Sequence, residues 1–306
     1  MRSTHTCPLH KEKNMQNRQF VIVADSACDM PTSYYQEKDV ELVNLGFMMN
    51  DVNYEGEDGE KISEKEFYKL LREGSMPTTY QVTAEAAKPH IEKYLSQGKD
   101  VLVLAFSSAL SGTANSFVMA AKELSELYPT RKIRVVDTLC ASMGEGLFLD
   151  YVVKKADSGA SLEETVDYAE DLKLHICHYF TVDNLFHLKR GGRVSAATAV
   201  VGSVLQIKPI MHVDNQGRLI AIGKAMGRKK SLMTLVDNLL AVAELGKDDP
   251  IFISHGDCID DVEWVKKQFL EKKPDVKIVV NYIGAVIGSH SGAGTLAIFA
   301  KGKSRE

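Results

Sequence analysis

Residues 101–127, VLVLAFSSALSGTANSFVMAAKELSEL, place an unbroken apolar run, a cluster of hydroxyls and a helical repeat in direct succession. The run at 101–106 shows no alternation, which is the pattern of a strand buried on both faces of a parallel sheet. From Ala114 onward the apolar positions Ala114, Phe117, Ala121 and Leu124 recur at helical spacing. Ser107, Ser108, Ser111 and Thr113 therefore fall between a strand's carboxyl end and a helix amino terminus. Free backbone N–H groups and the helix dipole favour an anion at such a place, and open α/β sheets take their ligands there. Ser111 or Thr113 is also positioned to cap the helix. One cap needs one oxygen, which leaves the Ser107–Ser108 pair over.

A chain of 306 residues predicts two domains. With 44% hydrophobic and 25% charged residues and a net charge of −4, nothing in the balance calls for nucleic acid. Cys7, Cys28, Cys140, Cys177 and Cys258 have no CxxC spacing. Their scatter argues against a metal site or a disulfide framework and fits a reducing, cytoplasmic setting. His255-Gly256-Asp257-Cys258 carries metal-ligand residue types but lacks a partner cluster. No apolar run reaches the ~20 residues of a membrane span. Residues 1–19 have no apolar core of the signal-peptide kind; they read as a disordered leader or expression remnant, with Met15 an alternative start.

Residues 20–24 form a first buried strand that ends on Asp25-Ser26, a short helix follows Pro31, and residues 40–47 read as one strand. Gly56 to Gly59 is a turn. Ser63 and Glu66 make a capping box for a helix that buries Phe67, Leu70 and Leu71 and stops at Gly74. Met76-Pro77-Thr78-Thr79-Tyr80-Gln81 is a non-helical connector, and Pro89 should delay or bend the helix after it. A strand at 133–137 and helices at 142–156 and 162–173 complete a domain of alternating strands and helices, hence a parallel sheet, over residues 20–176. From residue 177 the pattern changes. Segments 209–213 and 218–223 flank Asp214-Asn215-Gln216-Gly217 as a β-hairpin. A helix at 229–244, a strand at 251–254, a helix at 260–271, a strand at 276–281, a glycine-rich loop at 284–294 and a strand at 295–300 follow. Residues 177–306 are thus a second α/β domain with a mixed sheet.

Five motifs in order resemble the DegV family of bacterial fatty-acid-binding proteins: Asp25-Ser26, Pro77-Thr78-Thr79-Tyr80-Gln81, Ser107 to Thr113, Leu188-Lys189-Arg190-Gly191-Gly192-Arg193-Val194-Ser195, and His290-Ser291-Gly292-Ala293-Gly294. The resemblance implies a long-chain fatty acid held between the two domains, its tail buried and its carboxylate at the mouth. Carried over by motif, the carboxylate is held by Thr79, Ser108 and His290, with Ser107 the neighbouring alternative and Ser26 and Thr78 the adjoining hydroxyls of the site. No cofactor and no metal is implied. The implied role is to present the carboxylate to a separate, dihydroxyacetone-kinase-like fatty-acid kinase and to hold the acyl phosphate, without chemistry of its own. Two residues depart from the pattern. Tyr80 stands where the family has serine, which predicts a narrower mouth, and Met226 stands where it often has an arginine implicated in kinase engagement. Arg228, Lys229 and Lys230 are the nearby charges that would substitute.

A buried acyl chain supplies ~0.8 kcal/mol per methylene, so the head site needs only neutral donors that grip a carboxylate without trapping it. Residues 196–204 and 283–287 are candidate walls of the tail pocket and equally ordinary core. Gly288, Gly292 and Gly294 allow close backbone approach around His290. Arg193 is either a phosphate reader or a structural arginine. Asp25 is either a general base or a turn cap. The rival class is a serine hydrolase that draws on Ser107 or Ser108, His290 and Asp25, weakened by the absence of a Gly-x-Ser-x-Gly elbow. A non-catalytic lipid sensor is the third reading.

Overall fold

The computed structural model describes residues 18–56, 59–195 and 206–305. In chain order the first part contains β1 (Phe20–Asp25), α1 (Thr32–Glu37), β2 (Val40–Val43), β3 (Gly46–Met49), β4 (Val52–Glu55), α2 (Glu64–Arg72), β5 (Thr78–Tyr80), α3 (Ala84–Leu95), β6 (Asp100–Ala105), α4 (Thr113–Leu127), β7 (Ile133–Asp137), α5 (Met143–Asp157) and α6 (Leu162–Leu172). The second contains β8 (Ile176–Thr181), α7 (Phe186–Arg190), β9 (Ile207–Val213), β10 (Leu219–Met226), α8 (Arg228–Val242), β11 (Ile251–His255), α9 (Ile259–Lys272), β12 (Ile278–Tyr282), α10 (Ala285–Ser291) and β13 (Leu296–Lys301).

Three sheets result. The first, β2-β1-β6-β7, is wholly parallel. Its central strands divide their side chains by the two-residue period. Ile22, Ala24, Leu102 and Leu104 join one core with α5 and α6, while Val23, Val101, Val103 and Ala105 join a second core with α3 and α4. The six-stranded sheet, β10-β9-β8-β13-β11-β12, is mixed: β11 and β12 run parallel, and the other pairs are antiparallel. The chain is therefore two α/β domains, one with a parallel and one with a mixed sheet.

Helix α5 joins them. Leu147, Phe148, Leu149, Val152 and Val153 pack in one core with Phe180, Met211, Phe252, Ala297 and Phe299 of the mixed sheet, so the helix is buried on nearly every side from Met143 to Val153. A Cβ on Gly144 would stand 2.2 Å from His178 Nε2, and one on Gly146 would stand 2.7 Å from the Cys28 carbonyl oxygen. Two glycines in a helix weaken it, and here they let it sit against a strand of one domain and a turn of the other. The outer face of the mixed sheet packs Tyr179, Ile253 and Ile298 against Leu232, Leu235, Val262 and Phe269 of α8 and α9.

Three segments depart from the sequence-based expectation. Residues 40–47 are two strands in different sheets, because the Leu45 N–H is taken by Ser26 Oγ (3.0 Å) and leaves the parallel ladder. The Met76–Gln81 connector contributes β5, which joins β3 and β4 in a small antiparallel sheet. The glycine-rich stretch at 284–294 contains α10, whose Gly288 fits against Phe67 and Tyr68 of α2. Pro89 lies inside α3, and Thr83 still caps the helix start through Ala86 N. In α2, Phe67 and Leu71 are buried as expected, joined by Tyr68, while Leu70 is only partly buried. Of the segment read as a leader, residues 1–17 lie outside the described residues, as does the candidate tail wall at 196–204; Arg18 pairs with Asp157 at 2.6 Å.

Candidate functional site

Between the two domains lies a cavity of about 200 Å³. Leu45, Phe106, Leu110 and Ala141 of the first domain face Phe180, Val213, Leu219, Ala297 and Phe299 of the second, and Ile283, Val286 and Ile287 close one side. These are side chains that the two-residue strand period and the α10 face turn inward. Left empty, an apolar void of that size costs on the order of 5 kcal/mol at ~24 cal/mol per Å³.

One end is polar, where Thr79, Gln81, Ser111, Gly112, Arg193 and His290 line the cavity. Thr79 sits on β5 opposite Phe47 of β3, and its Oγ1 is 2.8 Å from His290 Nε2 on the last turn of α10. A Cβ on Gly191 would stand 2.1 Å from His290 Nδ1, so the end of α7 holds the imidazole from behind only because residue 191 is glycine. Burial first, then the charges of Arg193 and Arg190, lower the His290 pKa to about 4. The ring is therefore neutral near pH 7. Its Nδ1 is buried without a hydrogen-bond partner among the described residues. A proton on Nε2 leaves a lone pair at Nδ1 rather than an orphaned N–H, the less costly arrangement. His290 then donates to Thr79 Oγ1, and the threonine hydroxyl proton is free to point into the cavity.

The amino end of α4 opens on the same place. Gly112, its cap residue, makes no side-chain capping bond, while Ser111 Oγ accepts from Thr113 N (3.2 Å) and lies 2.9 Å from Thr113 Oγ1. A Cβ on Gly112 would stand 2.2 Å from Gln81 Oε1, and Gln81 Nε2 donates to Ser116 Oγ (3.1 Å), which stitches the β5 strand to the helix. Arg193 donates to the carbonyls of Leu110 (3.1 Å) and Gly191 (2.5 Å) and has no carboxylate partner among the described residues. Arg190 spans the carbonyls of Pro77 (2.9 Å) and Ser289 (3.1 Å), tying α7 to the segment before β5 and to α10. Neutral donors, a helix amino end and one uncompensated guanidinium thus converge on a small volume, an arrangement suited to an anion.

Of the six residues assigned by motif, the fold brings Thr79 and His290 together on the cavity and leaves four elsewhere. Ser107 is buried and donates to the Gly217 carbonyl (3.0 Å). Ser108 is exposed, its backbone N–H on Asp137 Oδ1 (3.1 Å). Ser26 serves Leu45 N, and Thr78 is exposed on β5, one residue out of phase with Thr79. Of the serines in the motif around the α4 start, the one that lines the cavity is Ser111. Its signal in the sequence was its place directly before the helix, which also suits a cap. Tyr80 lines the cavity too; its ring lies across Gly46, where a Cβ would be 2.1 Å from Cζ, and its hydroxyl donates to Asn53 Oδ1 (2.7 Å).

The hydrolase constellation is not assembled by these bonds. Asp25 is fully buried and accepts from Ala27 N (3.0 Å) and Phe106 N (2.8 Å), as a cap and strand tie; burial raises its pKa to about 7. His255 Nδ1 accepts from Cys258 N (3.2 Å), and among the described residues no group of three or more acidic, histidine or cysteine side chains is arranged for a metal. Nor is any described helix long and apolar enough to cross a membrane.

Residues 19–303 match the sequence family described as "Uncharacterised protein, DegV family". The chain belongs to the DegV family. A DegV domain-containing protein of Clostridium perfringens is 43% identical over 289 residues, covering 94% of this chain and 99% of that one. A Lactococcus lactis relative is 34% identical over 94% of this chain and 99% of its own. Among solved structures, a DegV family protein from Thermus thermophilus, described for its fatty acid binding, superimposes with a TM-score of 0.83 at 32% identity, covering 93% and 99% of the two chains. A Thermotoga maritima protein whose structure is described as revealing a fatty acid binding function gives 0.77 at 29% identity, again over 93% and 99%. This DegV chain thus shares with both relatives an alignment that spans both domains and the cavity between them.

Proposed function

We propose that this DegV protein holds a long-chain fatty acid in the interdomain cavity, tail among Phe180, Ala297, Phe299 and Ile287, carboxylate at the polar end. The observation that carries the reading is the Thr79–His290 pair, a neutral two-residue donor set at the polar end of a largely apolar cavity. Ser111 and the α4 amino end supply further donors to the same oxygens, and Arg193 supplies the charge. This differs from the motif-based set in taking Ser111 in place of Ser108 or Ser107. The fatty-acid binding described for the Thermus and Thermotoga relatives supports it.

The same geometry suits presentation to a separate fatty-acid kinase. Hydroxyls and an imidazole hold a carboxylate loosely enough for its oxygen to attack, and Arg193 is positioned to steady the added phosphoryl group. Docking of that kinase is supported less directly. Met226 ends β10 with 60% of its surface exposed, and Arg228 is occupied by Asp261 (2.8 Å) and the Gly294 carbonyl (2.6 Å). That leaves Lys224, Lys229 and Lys230, all exposed, as the local charges for an acidic partner. Mass spectrometry of protein purified from a bacterial host tests the binding. An acyl chain should copurify, and its extraction should lower the melting temperature, since ligand bound to the native state stabilises it. Protein that yields no acyl chain and whose melting is unmoved by added palmitic acid removes the reading.

A further inference from the structure

Helix α10 touches three different surroundings, and its residues divide among them. Gly288 faces α2, where a Cβ would stand 2.6 Å from Tyr68 Oη. Val286 and His290, four residues apart, share one stripe that lines the cavity, where the histidine meets Gly191 and Thr79. Ile287 and Ser291, also four apart, form the next stripe, and both line the cavity. Ser291 is therefore one step around the helix from the histidine and lines the same cavity.

A buried serine in a helix ordinarily satisfies its hydroxyl on the carbonyl four residues back. Ser289 does so, donating to the Ala285 carbonyl at 2.7 Å. Thr295 does the equivalent just after the helix, donating to the carbonyls of Ser291 and Gly292, both at 2.9 Å. Ser291 does not. Its hydroxyl has no hydrogen-bond partner among the described residues, although the residue is only 7% exposed. Leaving a buried hydroxyl unmade is costly, and a chain that solves the problem at 289 and 295 had the same local solution open at 291. The partner must come from the cavity.

We infer that Ser291 is a further head-group ligand, whose hydroxyl donates to the carboxyl end of the bound acid once the cavity is filled. The inference rests on the fatty-acid reading and deepens it. A carboxylate offers two oxygens with about four acceptor positions. Thr79 approaches from β5, Ser111 from the α4 end, and Ser291 from the last turn of α10, so the three hydroxyls come from different elements and fix the plane of the carboxylate rather than only its location.

The contrast between empty and filled protein supplies the test. Removing an unsatisfied hydroxyl relieves the empty state, whereas removing a ligand contact weakens the filled one. Delipidated Ser291→Ala should melt at or above the parent's temperature, bind palmitic acid about tenfold or more weakly, and show a smaller rise in melting temperature on adding it. Affinity for 1-hexadecanol should fall less, and Ser291→Thr, which keeps the hydroxyl, should restore acid binding. A serine with a purely structural role predicts the reverse sign for the delipidated variant. Ser291→Ala that binds palmitic acid as the parent does, while Thr79→Val binds it more weakly, overturns the assignment of Ser291 and leaves the fatty-acid reading standing. A parent that binds no palmitic acid overturns both.

Discussion

Thr79 Oγ1 and His290 Nε2 lie 2.8 Å apart across 211 positions of sequence. The bond ties the small antiparallel sheet of the first domain to the last turn of α10 in the second, so the polar end of the cavity exists only while both domains are in place. The lowered pKa of His290 follows from that closure, since burial is its largest cause. The imidazole and the hydroxyl make a preorganised donor pair that is itself neutral, and the positive charge at this end of the cavity comes from Arg193.

Removing either partner should therefore cost affinity for an acid more than for its alcohol. Thr79→Val and His290→Ala each delete or misdirect one hydrogen bond to a charged group, worth roughly 1.5–3 kcal/mol, or about ten- to a hundredfold in affinity. Isothermal titration with palmitic acid and 1-hexadecanol checks this. Equal losses for acid and alcohol would assign the pair to packing rather than to the carboxylate.

Gly191 offers the same test without touching the head residues. Its added Cβ would lie 2.1 Å from His290 Nδ1, so Gly191→Ala must push the ring off Thr79. Palmitic acid affinity should drop about as far as in His290→Ala, and the double variant should be no worse than either single one. Additive losses would show that the glycine acts elsewhere.

A third expectation concerns pH. Glu145 on α5 is fully buried beside the Cys28 thiol with no basic partner among the described residues, and burial raises its pKa well above the ordinary carboxylate value, with Asp25 adding to the shift. The folded state then keeps a proton that the unfolded state releases. Stability is greatest below the ordinary carboxylate pKa and falls as pH rises from there toward the folded-state value. Asp25, raised to about 7, adds a slope of the same sign below neutrality. Glu145→Gln should flatten the decline in melting temperature between pH 5 and 8 and raise stability most at the upper end. A variant whose melting curve tracks the parent's across that range removes Glu145 as the cause.

Charge at the end of β10 should govern encounter with a kinase rather than lipid binding. Met226 is exposed and Arg228 is held by Asp261, so Met226→Arg adds a free positive charge to a surface that lacks a free arginine there. Phosphorylation of bound palmitic acid by a fatty-acid kinase should speed up, the gain shrinking as salt rises, with palmitic acid affinity unchanged. No gain at low salt would locate the docking surface elsewhere.

Residue order alone was enough to read the central strands β1 and β6 and the edge strand β7 of the parallel sheet, the hydroxyl-bearing turn before α4, the change to antiparallel pairing after residue 176 and the five motifs in order. Those signals are local: apolar runs, helical spacing and turn residues act over a few positions. What it left open was which hydroxyl faces the cavity. Ser107, Ser108 and Ser111 lie within five positions, and the turn directs them to the Gly217 carbonyl, to solvent and to the cavity respectively. A turn aims each side chain differently, and nothing in residue type records the direction. Residues 284–294 looked like a loop because glycine weakens helices in isolation, yet Gly288 is what lets α10 pack against Tyr68, and packing outweighs propensity. Only the tertiary structure could set Thr79 against His290, bury the pair and so keep the imidazole neutral, because that proximity depends on how two domains close and not on anything either segment carries alone.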